Sequence, residues 1–223
     1  MRSGVPLDEV SAPTLEFFER ARARLTREVT PALTDVDAPA AIRGDLDLDP
    51  EMWVKAGVKA TRPAAVLVPV VARSEPTVLL TQRTPDLRSH SGQIAFPGGK
   101  IDPSDASPQA AALREAREEI GLDPEFVEPI GYLDLYLTFS GFRILPLVAR
   151  VQPGYRMTIN PAEVTDAFEV PLEFLMSPSN HQRLKRDWKG IERQYYAMPF
   201  GDRYIWGVTA GILRNLYDRI YAG

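Results

Sequence analysis

The chain has 223 residues, 44% of them hydrophobic and 25% charged, with a formal net charge of -4 and no cysteine. That composition suits a globular protein with one sizeable core, and its mild acidity gives no electrostatic reason to expect nucleic acid or a membrane surface as a bulk partner. Without thiols, disulfide frameworks, thiolate zinc sites and cysteine nucleophiles are excluded.

The N-terminus, MRSGVPLDEV, lacks the apolar run of a signal peptide, and the longest strongly apolar stretch, AAVLVPVVA at 64–72, is too short to span a bilayer. A cytoplasmic location is therefore expected. In chain order, Leu15, Phe18, Ala21, Leu25 and Val29 recur at helical spacing behind Thr14, a capping residue type, which predicts a helix over 14–29. From Thr30 to Pro63, prolines and the acidic run RGDLDLDPE predict a linker. The chain is accordingly divided into an N-terminal helical arm and linker, 1–62, and a main domain, 63–223. Residues 64–72 and TVLLTQR (77–83) are short and rich in Val and Leu, as buried strands are.

FPGGK (96–100) places two glycines where a strand ends, and a helix is expected over 107–120, ended by Gly121. PIGYLDLYLT and RILPLVARV predict strands on either side of the turn SGF, and PLEFLM a short helix. RQYYAMPF and RYIWGV, split by Gly201 and Asp202, predict a hairpin. A last helix over 206–221 collects Val208, Ile212, Leu213, Leu216 and Ile220 on one side. Strands and helices interleave without a strict βαβ rhythm, so the expected fold class is α/β, with a mixed sheet between helical layers.

The helix over 107–120 carries the chemistry. At about 100° per residue, Glu115, Glu118 and Glu119 share one face and Leu113, Ala116 and Ile120 lie roughly opposite. Like charges at such spacing repel, so this outward face is either a plainly solvated acidic surface, a common arrangement, or a cation site. Oxygen-only ligands suit hard ions such as Mg²⁺ or Mn²⁺. The double glycine just before the helix lets backbone approach a ligand closely and leaves a carbonyl free to face a metal.

Residues 98–122, GGKIDPSDASPQAAALREAREEIGL, resemble the Nudix box, in which a glycine, a loop acid and the pattern R-E-aliphatic-x-E-E-x-G follow at set intervals. Arg114, Glu115, Glu118, Glu119, Gly121 and Leu122 match, with Ala116 at the aliphatic position. The first half departs: Asp105 stands where glutamate is usual, and one extra residue separates it from Arg114. The added residue falls before the helix and leaves the carboxylate spacing intact. Upstream, LLTQRTPDLRSHSGQIAFPGG (79–99) is similar to the signature of the coenzyme A pyrophosphatase branch, through Leu79, Leu80, Thr81, Arg83, Arg88, Gly92, Phe96, Pro97, Gly98 and Gly99. The resemblance covers about residues 64 to 217.

The resemblance implies a Nudix-type α/β/α sandwich and a metal-dependent pyrophosphohydrolase using Mg²⁺ or Mn²⁺. Its implied substrate is coenzyme A or a thioester of it, cleaved to adenosine 3′,5′-bisphosphate and (acyl)phosphopantetheine. Other nucleoside diphosphate-linked substrates such as NADH or ADP-ribose, and a non-catalytic Nudix module, are the alternatives. It implies metal ligation by Glu115, Glu118 and Glu119 with the Gly98 carbonyl, and orientation of these carboxylates by bidentate bonds from Arg114. The general base is open between Glu163, which could equally be a helix-start glutamate beside Pro161, and Glu115. Arg83, Arg88 and Gln93 are expected at the substrate, the arginines because a planar guanidinium suits phosphate; surface ion pairing is their alternative. His90 shares their loop. The stretch 181–196 mixes Arg183, Lys185, Arg186, Lys189 and Arg193 with Trp188, Tyr195 and Tyr196; a basic loop running into a hairpin is preferred over a base-stacking or RNA-binding surface. Expected partners are small nucleotide-type substrates, with no nucleic acid and no membrane; a homodimer is allowed by the sequence and not required.

Overall fold

The computed structural model describes residues 11–44, 47–51, 54, 57, 59–85, 92–188 and 191–222. The first helix, α1 (Ala12–Arg24), begins earlier and ends sooner than its apolar spacing predicts. Ser11 is the cap, its Oγ accepting the Thr14 N–H, and a proline occupies the first turn, where its missing N–H costs nothing. Thr14 is instead buried and donates its hydroxyl to the Arg73 carbonyl at 2.8 Å. The buried face is Thr14, Phe17, Phe18 and Ala21, whereas Leu15 and Val29 are exposed. This face keeps helical spacing, but a polar residue at its head disguises it.

A 3-10 turn at Pro31–Leu33 and a short strand, β1 (Ile42–Gly44), interrupt the predicted linker. Then come β2 (Arg62–Val71), β3 (Thr77–Arg83), β4 (Ile94–Ala95), β5 (Gly98–Lys100) and helix α2 (Pro108–Ile120). They are followed by β6 (Val127–Tyr132), β7 (Leu135–Leu137), β8 (Phe142–Val151), β9 (Val164–Pro171) and the short α3 (Leu172–Leu175). The chain ends with β10 (Gln182–Trp188), β11 (Ile191–Phe200), β12 (Arg203–Trp206) and α4 (Val208–Tyr217), which runs into a π-helical turn. Helix α4 starts later than predicted because Trp206 closes β12 and Gly207, at φ 63°, turns the chain.

The larger sheet has the order β1-β7-β8-β2-β3-β4, with β5 added to β2, β6 to β8 and β9 to β3. It is mixed: β2 lies parallel to β8 and β1 to β7, while the remaining pairs are antiparallel. Strand β2 is apolar on both faces, as a strand covered on both sides must be. Ala65 and Leu67 pack with Ala111, Ala112, Ala116 and Ile120 of α2. Val68 and Val70 pack on the opposite side with Phe17 and Phe18 of α1 and with Ile212, Leu213 and Leu216 of α4. The result is an α/β/α sandwich.

Strands β10, β11 and β12 form a second, antiparallel sheet. Here the structure replaces the predicted basic loop with strand β10, paired along its length with β11. Charged residues fall on both of its faces, so it shows no alternation of apolar and polar residues, and charge suits an edge strand. Among the described residues no helix is long and apolar enough to cross a membrane.

Candidate active site

Helix α2 is fixed at both ends. Ser107 caps its start, accepting the Ala110 N–H at 3.1 Å. Gly121 ends it at φ 69°, and a Cβ there would lie 2.9 Å from the Thr158 nitrogen. The last carbonyls are not left to solvent: the Thr158 N–H donates to Ile120 O and the Asn160 N–H to Glu119 O, each at 2.9 Å. The segment 158–163 is thereby docked on the helix end. Within it, Asn160 Nδ2 donates to Glu163 Oε1 at 3.1 Å, and the Glu163 carbonyl accepts the Thr84 N–H at 3.0 Å. Glu163 therefore starts no helix; it sits in a turn that leads into β9. Asn160, which nothing in the sequence singled out, holds it.

Carboxylate oxygens of Glu115, Glu119 and Glu163 lie within 4.8 Å of one another. Glu118 stands apart, its side chain 53% exposed and its Oε2 3.0 Å from Arg114 Nη1. The face expected to look outward thus differs along its length, for Glu119 is buried against the strand-end turn. The two glycines of that turn make the approach possible. Gly98, at φ 146°, passes so near β2 that a Cβ would lie 2.5 Å from Ala65 O, and its N–H donates to Glu119 Oε2 at 3.2 Å. A Cβ on Gly99 would lie 2.6 Å from Glu115 Oε1.

Arg114 spends its fork on the loop acid: Nε to Asp105 Oδ1 at 2.9 Å and Nη2 to Oδ2 at 3.0 Å. The extra loop residue leaves this pair intact. Nη1 reaches Glu115 at 3.1 Å and Glu118 at 3.0 Å, so the box carboxylates receive single bonds instead of the bidentate ones expected. The Arg114 bonds hold the Asp105 carboxyl below its usual range. The cluster is the reverse case. Burial pushes the Glu119 carboxyl up to about 7; the Gly98 N–H and Arg83 offset part of this, and Glu115 and Glu163 add to it. Burial raises Glu115 as well, against the pull of Arg114. Three carboxylates held this close, two of them raised by burial, favour a cation among them. Their all-oxygen donor set fits a hard divalent ion.

The cluster opens on a cavity of about 730 Å³. Arg83 and Gln93 line it, and the Arg83 N–H donates to the Gln93 carbonyl at 3.0 Å. Arg83 Nη1 is 3.7 Å from Glu119 Oε1, and its buried Nε has no hydrogen-bond partner among the described residues. Arg88 and His90 lie outside the described residues. The opposite wall comes from the second sheet: Arg186, Arg193, Tyr195 and Trp206. The sequence singled out Arg186, Arg193 and Tyr195 as part of a mixed basic and aromatic stretch but favoured a loop running into a hairpin; the structure puts them, with Trp206, on paired strands that line the cavity.

The family model for the NUDIX domain matches residues 61–191. The chain belongs to the Nudix hydrolase family. A Nudix relative from Klebsiella pneumoniae (strain 342), described as uncharacterized Nudix hydrolase NudL, is 43% identical over 161 residues, covering 72% of this chain and 84% of the relative. Another protein of that description, from Photorhabdus laumondii, is 41% identical over 159 residues, covering 71% and 85%. Among solved structures, the Nudix chain resembles DR0079 from Deinococcus radiodurans with a TM-score of 0.46 and 16% identity, covering 71% of this chain and 86% of that one. As a Nudix hydrolase the protein is a pyrophosphohydrolase acting on a nucleoside diphosphate-linked substrate with divalent metal ions.

Proposed function

We propose that the enzyme hydrolyses the pyrophosphate bond of coenzyme A or its thioesters, in the cytoplasm, giving adenosine 3′,5′-bisphosphate and (acyl)phosphopantetheine. The observation that carries the hydrolytic reading is the convergence of Glu115, Glu119 and Glu163, from a helix and a separate turn, at one side of a large cavity. The narrower choice of substrate is supported by the LLTQRTPDLRSHSGQIAFPGG signature and by apolar lining, including Ile144, Val208 and Ile212, against which a pantetheine or acyl arm can lie.

Mg²⁺ or Mn²⁺ would be held by Glu115 and Glu119, with Glu118 from the rim and the Gly98 carbonyl, and when bound it neutralises pyrophosphate charge and acidifies water. The protein's own groups do the rest. Arg114 fixes Glu115 and Glu118 through Nη1 while Asp105 clamps its other nitrogens. Arg83 directs a guanidinium at the anionic substrate and Gln93 adds a polar group beside it; for Arg88 the signature alone supports a share in phosphate binding. Water attacks one phosphorus, the bond from that phosphorus to the bridging oxygen breaks, and the water proton passes to Glu163 Oε2, since Oε1 is occupied by Asn160. Glu115 is the other carboxylate placed to accept it.

Mass spectrometry of the products of a Mg²⁺ assay on coenzyme A, NADH and ADP-ribose tests the reading. Phosphopantetheine from coenzyme A is the expected result. Turnover of NADH without turnover of coenzyme A would overturn it, and binding of all three without turnover would point to a non-catalytic module.

A further inference from the structure

Strand register puts Arg186 and Arg193 directly opposite each other on β10 and β11, with Tyr195 two residues further along the same face. Trp206 joins this face through its pairing with Ala197 on β12. Like charges facing across a ladder repel, so an arrangement of this kind needs a reason. Aromatic neighbours supply part of one: Arg186 lies 5.7 Å from the Trp206 ring centroid and Arg193 lies 4.0 Å from that of Phe139. At Arg186 carboxylates add nothing. Among the described residues none pairs with Arg186, and the nearby Glu192 is taken by Lys185 at 2.7 Å. All of Arg186, Arg193, Tyr195, Trp206 and Phe139 line the cavity that holds the carboxylate cluster.

We infer that this wall is a second anion site, at which the Arg186 and Arg193 guanidinium groups take a phosphomonoester of the substrate while its base lies against Tyr195 and Trp206. The substrate class is then a nucleoside diphosphate-linked compound that carries an additional phosphate on its nucleoside half. Two planar forks on neighbouring strands match the several oxygens of a phosphomonoester, and a ribose hydroxyl offers them no charge. Tyr195 and Trp206, with ring centroids 5.5 Å apart at 71°, present an aromatic corner for a flat base. The inference deepens the proposed function and takes from it only the seat of the pyrophosphate at the carboxylates.

Coenzyme A and dephospho-coenzyme A differ by one phosphomonoester, so the ratio of their kcat/KM values isolates the site. In the wild-type enzyme the ratio should be roughly tenfold or more in favour of coenzyme A, the scale of one charge-assisted contact, and it should collapse toward one in Arg186→Gln. Arg193→Lys, which keeps the charge and loses the fork, should fall between. Arg186 is exposed, so its substitution removes its contact with the Trp206 ring and leaves the buried core untouched. Calorimetric titration with adenosine 3′,5′-bisphosphate and with AMP gives the same comparison without turnover, and the tighter binding of the bisphosphate should vanish in Arg186→Gln. A wild-type ratio near one, or an unchanged ratio in both variants, overturns the inference even if coenzyme A is hydrolysed. If coenzyme A is not hydrolysed the proposed function fails, and the calorimetric ratio still decides this inference.

Discussion

Two arginine–glutamate pairs stand toward opposite ends of the β3–β9 ladder, and they are built to opposite ends. At one, Arg73 clamps Glu169 with both arms of its fork, at 2.7 and 2.6 Å, while the hydroxyls of Thr77 and Tyr155 also donate to that carboxylate. Burial alone would raise Glu169, but these bonds hold it at about 2. At the other, Arg83 stands 3.7 Å from Glu119, which shares its surroundings with two further acids and is pushed up to about 7. The first carboxylate has every partner it needs from the protein. The second is left short of positive charge, and that shortage is what makes a site out of a salt bridge.

Removing the deficient carboxylate should have the largest effect. Glu119→Gln is expected to lower kcat by about 10³-fold while the melting temperature holds or rises, because an incompletely compensated buried charge is lost. Steady-state kinetics with circular dichroism melts checks both halves, and wild-type turnover at saturating Mg²⁺ would return the cluster to a merely structural role.

A finer test separates the acid inside the cluster from the one outside it. Glu163→Gln and Glu118→Gln should each cost about 10²-fold in kcat, the first through the proton acceptor and the second through metal affinity. Only the Glu118→Gln loss should shrink as Mg²⁺ is raised in a titration. Full activity of Glu118→Gln at every Mg²⁺ concentration would assign that carboxylate to Arg114 alone.

The smallest effect belongs to the satisfied pair. Glu169→Gln should leave kcat unchanged and cost about 1–2 kcal/mol of stability near neutral pH. Since the folded carboxyl is held at about 2, below its ordinary 4.5, its contribution is complete above the ordinary value and disappears as pH falls through the folded one. The melting-temperature gap between wild type and variant should therefore narrow from about pH 5 down to about pH 2. A constant gap would mean that packing, not charge, holds Glu169.

What could be read from the sequence was local. The limits of α2, its Ser107 cap and its Gly121 stop follow from short-range rules, and the spacing of its acids follows from helix geometry. Three things were hidden by longer-range effects. Strand β10 shows no alternation, because its two faces carry arginines for different neighbours. The partition of Glu118 from Glu119 depends on how close a Gly98–Gly99 backbone can come, which no periodicity records. Glu163 reaches the cluster only because Asn160 bonds both the helix end and its side chain, a role visible only once the turn is folded.

Those bonds have a mechanical consequence. The turn bearing Glu163 hangs from the last carbonyls of α2 by two main-chain links, from Thr158 and Asn160, and is tied to the end of β3 by Thr84. Suspended at both sides, it is expected to resist swinging over an incoming substrate. If Glu163 is the proton acceptor proposed above, these links predict that it keeps a set distance from the other two carboxylates as substrate enters.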